Sequence, residues 1–334
     1  MRTGTVRRGG EPMKRHIRVL FLLLCALLLL CACAPAAQQG PALWKVTSPD
    51  GGELYLFGSI HAAKEALYPL PDAVMQAYAS CDALAVEFDI TTLNEEAAMP
   101  LYSAMLLTDG TTIADHFDDK TCKTMKAILQ EAGSYSPLYD AFGPLFWETM
   151  LETAALEKAN LDAANGVDSY FLSLAHESGR EILEVESLDF QIALMTCEEA
   201  LRDACALVPL LAEHFDTCAS YYAHLYEAYA KGDLDALEYF LSGSSERYGG
   251  TGDSALDDLI RSMYETGEEW QSEYSIAARN ESMAKAAAEY LASGKKVFFV
   301  VGAGHMVGPD GIPALLEGMG YTVERTCFQR AKKV

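Results

Sequence analysis

The chain has 334 residues, half of them apolar, with 25 Lys+Arg against 48 Asp+Glu and a formal charge of −23. This apolar content excludes a disordered chain, and the length and irregularity exclude a coiled coil or collagen while allowing one large domain or two smaller ones. The acidity argues against a nucleic-acid partner, because a phosphate backbone needs a basic face.

At the amino end, Arg7, Arg8, Lys14, Arg15 and Arg18 precede an apolar run from Val19 to Cys33. The run is shorter than the roughly 20 residues a helix needs to cross a bilayer core. It therefore reads as the apolar part of a secretory signal over residues 1–32, with Met13 as a second usable start. Leu30-Cys31-Ala32-Cys33 resembles the bacterial lipoprotein box, which implies cleavage before Cys33 and lipid attachment there. Cys31 fits worse, since Leu30 directly precedes it. An uncleaved anchor is the alternative, and in either case the body is expected outside the cytoplasm, held to the bacterial cell membrane. Residues 1–32 carry six basic groups and one acid, so the remainder is more acidic still. Anionic headgroups repel such a body, which predicts a tether rather than a chain lying on the membrane. Six cysteines follow Cys33 without a CxxC, a pattern that reads as buried free thiols rather than a disulfide scaffold.

Residues 33–42 read as a short polar linker, and one domain is expected over residues 43–330. Leu43–Ser48 and Glu53–Phe57 read as strands around the turn Ser48-Pro49-Asp50-Gly51-Gly52. Pro71–Ser80 has helical spacing, with Asp72 in its first turn, and Ala83–Phe88 reads as a short apolar strand. From Thr92 to Ala164 the pattern is mostly helical, broken near Gly133–Pro137 and Phe142–Pro144. Val167–Glu177 reads as a helix ending at Gly179, and Glu181–Val185 as a strand. A long helical stretch covers Phe190–Leu241, followed by an exposed loop over Ser242–Ser254. Helices resume through Leu291; Lys296–Val301 reads as a buried strand, Pro313–Met319 as a helix and Tyr321–Thr326 as a last strand. The fold class is α/β, a mixed sheet built from amino-terminal, middle and carboxyl-terminal segments with large helical insertions.

Two strands run into the same turn. Tyr55-Leu56-Phe57-Gly58-Ser59-Ile60-His61 and Phe299-Val300-Val301-Gly302-Ala303-Gly304-His305 both end in Gly-x-x-His. Glycine there predicts a sharp backbone turn, and the histidine would then stand at the sheet edge where open α/β sheets bind ligands. Imidazole is the commonest transition-metal ligand. Glu87, at the end of the Ala83–Phe88 strand, is the natural third member, and Glu184 or Glu186 offers a fourth. HExxH and GxSxG are absent, which removes the zincin helix and the serine-hydrolase elbow. Gly302-x-Gly304 lacks the third glycine of a dinucleotide fingerprint, and too little chain follows it.

The segments FGSIHAA, LYPLPDAV, DALAVEFD, NGVDSYFLSLAHESGREILEVESLDFQ, YAKGDLDAL, ARNESMA and VFFVVGAGHMVGPDGIPALLEGMGY together resemble the TraB/PrgY/GumN family, related to the Tiki metalloproteases. The resemblance covers Leu43 to Val323. It implies an erythromycin-esterase-like or Tiki-like fold and a metal-dependent hydrolase, with manganese, cobalt or zinc as its divalent cofactor, that acts on a peptide or protein. By its motifs, His61, His305 and Glu87 correspond to metal ligands. Glu87, Arg279 and Glu186 correspond to catalytic positions, Glu87 as either ligand or general base. Glu186 matches loosely, since Val185 stands where the family has leucine. The other function class is a non-catalytic protein that sequesters a peptide signal or haem in the same pocket, because haem also takes imidazole ligands.

Overall fold

The structure, a computed structural model, describes residues 40–266, 270 and 272–326. The expected signal segment, Cys33 and most of the linker lie outside the described residues. In chain order the elements are β1 (Leu43–Thr47), β2 (Glu53–Ser59), α1 (Asp72–Ala79), β3 (Ala83–Val86), α2 (Glu95–Met105), α3 (Asp119–Glu131) and α4 (Pro144–Lys158). There follow α5 (Val167–Ser178), β4 (Glu181–Glu184), α6 (Leu188–Thr196), α7 (Glu198–Glu213), α8 (Phe215–Lys231), α9 (Leu234–Ser242) and α10 (Ser254–Thr266). The chain closes with α11 (Ile276–Ser293), β5 (Val297–Gly302), α12 (Ile312–Gly318) and β6 (Thr322–Arg325).

The six strands form one mixed sheet in the order β4-β3-β5-β2-β1-β6. The amino-terminal hairpin forms because Gly51 takes φ +88° in the turn and the Gly52 N–H donates to Ser48 Oγ at 2.8 Å. β1 is antiparallel to β2 and to β6, whereas β4, β3, β5 and β2 run parallel. β5 enters from the far end of the chain between β2 and β3. Its Val297, Phe298, Phe299, Val300 and Val301 are fully buried, as a central parallel strand covered on both faces requires. Each such side chain contributes about 1.5–3 kcal/mol by leaving water.

On one face Leu54, Leu56 and Phe299 pack against Met283, Ala287 and Leu291 of α11 and Leu316 of α12. On the other, Phe57, Phe298, Tyr78 of α1 and Phe171 of α5 make a ring cluster with centroids 5.0–5.8 Å apart. A second core lies wholly among helices, around Trp147 and Leu151 of α4 with Val208 of α7 and Leu259 of α10. The tyrosines and phenylalanines are thus mainly packing residues.

Two expectations change. The helical stretch over Phe190–Leu241 is four helices, divided at Cys197, His214 and Gly232. Among the described cysteines, which are all free, Cys81, Cys122 and Cys218 are buried but Cys205 is exposed.

Candidate functional site

Four neighbouring parallel strands end on one edge, and the residues just beyond them line up in strand order. Glu186 follows β4, Glu87 follows β3, His305 follows β5 and His61 follows β2. The register fixes this alignment, with Val86 opposite Glu184 and Val300, and Ser59 opposite Gly302. The β3–β4 ladder even continues into the site, where the Glu186 N–H donates to the Glu87 carbonyl at 2.9 Å.

The two glutamates share one arginine. Arg279 Nε donates to Glu186 Oε1 at 2.8 Å, and Nη2 donates to Glu186 Oε2 and to Glu87 Oε2, both at 3.0 Å. All three side chains are largely buried, with 10%, 14% and 6% exposure for Arg279, Glu87 and Glu186. Charges that far from water require close pairing. Gln191 of α6, also buried, donates from Nε2 to the same Oε2 atoms. The remaining Glu87 oxygen, Oε1, accepts the Gly302 N–H at 2.8 Å and lies 3.7 Å from His305 Nε2.

His305 sits in a short 3-10 turn after β5 and is buried. Its Nδ1 bonds Asn280 Oδ1, while Asn280 Nδ2 donates to the Asp310 carbonyl at 2.8 Å. That second bond orients the amide, so His305 Nδ1 must carry the hydrogen and Nε2 is left with a lone pair facing Glu87. Burial pushes the His305 pKa down to about 4; the Glu87 charge opposes this, and Arg279 and His61 add to it. The ring is therefore neutral at pH 7, the form that binds metals.

His61 Nδ1 pairs with Asp168 Oδ2 at 2.9 Å. This bond is the largest contribution raising the His61 pKa to about 9; the charges of Asp168 and Glu87 reinforce it and that of Arg279 opposes it. The side chain is 80% exposed, so solvent screens part of that attraction. Asp168 reaches His61 because Gly166 packs on the His61 turn. The Val167 N–H donates to the Ile60 carbonyl at 2.9 Å, and a Cβ on Gly166 would stand 2.5 Å from the His61 carbonyl oxygen.

The glycines of the Gly-x-x-His turns work differently from the expected sharp bend. Neither Gly58 nor Gly302 has a positive φ. What each permits is close approach: a Cβ on Gly58 would meet Ala303 Cα at 3.1 Å, and one on Gly302 would meet Glu87 Oε1 at 3.3 Å.

His61, His305, Glu87, Glu186 and Arg279 thus gather on one edge, whereas Glu184 turns away and caps the Asp89 N–H at 2.8 Å. Sequence reading assigned no role to Asp168, Asn280 or Gln191. The first two sit within the Gly-Val-Asp and Arg-Asn segments, and Gln191 betrays itself only as an amide inside the apolar run of α6. Beside the cluster, a groove of about 420 Å³ is lined by Glu186, Arg279, Ser187, Phe190 and Glu273.

Two imidazoles with Nδ1 engaged, next to a carboxylate, are a donor set whose chemistry suits a divalent cation, which at His61 would have to displace the proton that its raised pKa keeps on the ring at pH 7. Their spacing is looser than a closed site. No three His, Cys, Asp or Glu side chains among the described residues converge tightly enough to hold a metal ion.

Comparison with known proteins adds one assignment: the TraB/PrgY/gumN family model matches residues 42–325. The chain belongs to the TraB/PrgY/gumN family. The family match spans all six strands and every residue of the edge cluster. The uncharacterized protein YbaP of Escherichia coli (strain K12) is 28% identical over 152 residues, which cover 45% of this chain and 54% of YbaP. YbaP of Shigella flexneri matches with the same identity and coverage. The chain spans about half the length of these curated relatives. No solved structure matches.

Proposed function

We propose that this family member is a metal-dependent hydrolase, a peptidase that acts on a secreted or surface peptide or protein. The observation that carries the proposal is the row of Glu186, Glu87, His305 and His61 at the carboxyl ends of four parallel strands, with both histidines oriented through Nδ1. His61 and His305, drawn closer than they stand in this structure, would hold manganese, cobalt or zinc, with Glu87 as either the third ligand or the general base; the metal when bound supplies Lewis-acid polarisation of a scissile carbonyl.

The chain's own residues do the rest. Asn280 keeps His305 in the tautomer with a bare Nε2, and Asp168 holds His61 through Nδ1, leaving Nε2 as the nitrogen a cation would take once its proton is lost. Where Glu87 acts as the base rather than as a ligand, Oε1, with a single N–H partner, is the oxygen that would accept a proton from an attacking water. Arg279 and Glu186 hold Glu87 in place, and the groove beside them gives room for a polypeptide segment. Export by the amino-terminal segment and a lipid at Cys33 would hold this activity at the outer face of the cell membrane.

Digestion of a peptide library with and without added manganese, cobalt or zinc tests the reading. Metal-stimulated cleavage that disappears in His305→Ala is expected; cleavage indifferent to metal and to that substitution overturns it. Accumulation of a precursor under globomycin, which blocks lipoprotein processing, tests the anchor. The looser spacing of the donors favours a second reading, a binding protein that sequesters a peptide signal or haem. A Soret band in the absorption spectrum of the purified protein, without hydrolysis, would select it.

A further inference from the structure

We infer that Gln191 is a positioning residue which, together with Arg279, holds Glu87 so that only Oε1 is left to act. The inference rests on the hydrolase reading for its consequence but on geometry for its substance.

Gln191 stands one turn into α6, which is capped by Ser187, whose Oγ accepts the Phe190 N–H at 3.1 Å. At 7% exposure, among apolar neighbours in the sequence LDFQIALMT, a glutamine costs desolvation that leucine would avoid. Its amide must therefore be satisfied from within. Both hydrogens of Nε2 are used, one on Glu87 Oε2 at 3.1 Å and one on Glu186 Oε2 at 2.5 Å. Because ionised carboxylates only accept, the amide nitrogen and not the oxygen faces them.

Arg279 Nη2 makes the same two contacts, each at 3.0 Å. Two NH₂ groups and two carboxylate oxygens thus close a four-membered ring of hydrogen bonds, in which each donor gives two and each acceptor takes two. The ring saturates Oε2 of both glutamates. It also holds two like charges side by side, which would otherwise separate. Glu186 Oε1 is taken by Arg279 Nε. Glu87 Oε1 keeps one partner, the Gly302 N–H, and its remaining lone pair lies on the His305 side. Without Gln191, Glu87 would keep one bond at each oxygen, from Arg279 to Oε2 and from Gly302 to Oε1; the Gln191 donor is what saturates Oε2 and leaves Oε1 the less engaged of the two.

The test compares wild-type protein with Gln191→Met, which keeps length and loses both donors, and Gln191→Glu, which keeps shape and polarity. The Gly302 amide reports on Glu87 without any metal. Hydrogen exchange followed by NMR is expected to speed up at Gly302 by roughly tenfold or more in both variants, with Val300 in the same strand unchanged. In parallel, the dissociation constant for cobalt is expected to rise roughly 10–100-fold, as for other groups that orient a ligand. Unchanged protection of Gly302 in a folded variant overturns the inference, whatever the cobalt result. Faster exchange at Gly302 in a protein whose wild type takes no cobalt upholds the positioning role and sinks the metal reading instead.

Discussion

Removing the charge of Arg279 tests the electrostatic core of the site. Arg279→Met keeps an unbranched chain but leaves Glu87 and Glu186 with Gln191 as their shared donor. Three bonds to ionised oxygens disappear, at 2.8, 3.0 and 3.0 Å. Taken singly, bonds to charged groups contribute about 1.5–3 kcal/mol each. They share atoms and do not add, so the better guide is the cost of stripping one partner from a buried ion pair, about 3–5 kcal/mol. The low exposure of all three side chains puts this cluster in that class. Urea denaturation at pH 7 should show an unfolding free energy lower by that amount with an unchanged m-value. Adding Glu186→Gln should restore part of the loss, since one of the two repelling charges is then gone. A cost below about 1 kcal/mol, the range of exposed pairs, would refute the clustered arrangement of Arg279 with its two glutamates.

Other outcomes follow from the same contacts. Asn280→Leu orphans the buried His305 Nδ1, at about 1–3 kcal/mol, while the exposed Asp310 carbonyl can turn to water; chemical denaturation measures this, and no loss would contradict the role of the amide. Gly166→Ala sets a Cβ against the His61 carbonyl oxygen and should cost about 1–3 kcal/mol while weakening cobalt binding; an alanine variant with wild-type stability and affinity would contradict the close packing. Glu148 of α4 has its pKa raised to about 8, chiefly by burial, with the charges of Glu152 and Asp203 adding. Since the folded pKa exceeds the unfolded value of 4.5, its contribution is fully present below that value and is lost as pH rises through about 8, by at most about 1.4 kcal/mol per pH unit. Glu148→Gln should therefore flatten the decline in stability between pH 5 and 8.5, and parallel curves for the two proteins would contradict it.

Much of the fold is legible in sequence because its signals are local. Ser48-Pro49-Asp50-Gly51-Gly52 announces a hairpin, and Gly179, with φ +66°, ends α5 where the glycine stands. The breaks within Phe190–Leu241 were hidden because Cys197 and His214 are not residues that interrupt a helical pattern by propensity; only Gly232-Asp233 carries the usual stop and cap. The edge residues His61, His305 and Glu87 were findable from strand ends alone. Their supporting partners were not, because Gln191 reaches Glu87 across 104 residues and Asp168 reaches His61 across 107. Periodicity carries no information about such pairings. Glu184 and Glu186 show the same limit: two residues apart in sequence, one caps the Asp89 N–H and the other joins the arginine.

The central claim is that His61 and His305 serve one cation, and X-ray absorption of the cobalt-loaded protein reads this directly. The account predicts one cobalt per chain with two imidazole nitrogens at about 2.0–2.1 Å, falling to one in His61→Ala. A protein that retains no cobalt, or one whose bound cobalt has only oxygen neighbours, would contradict it.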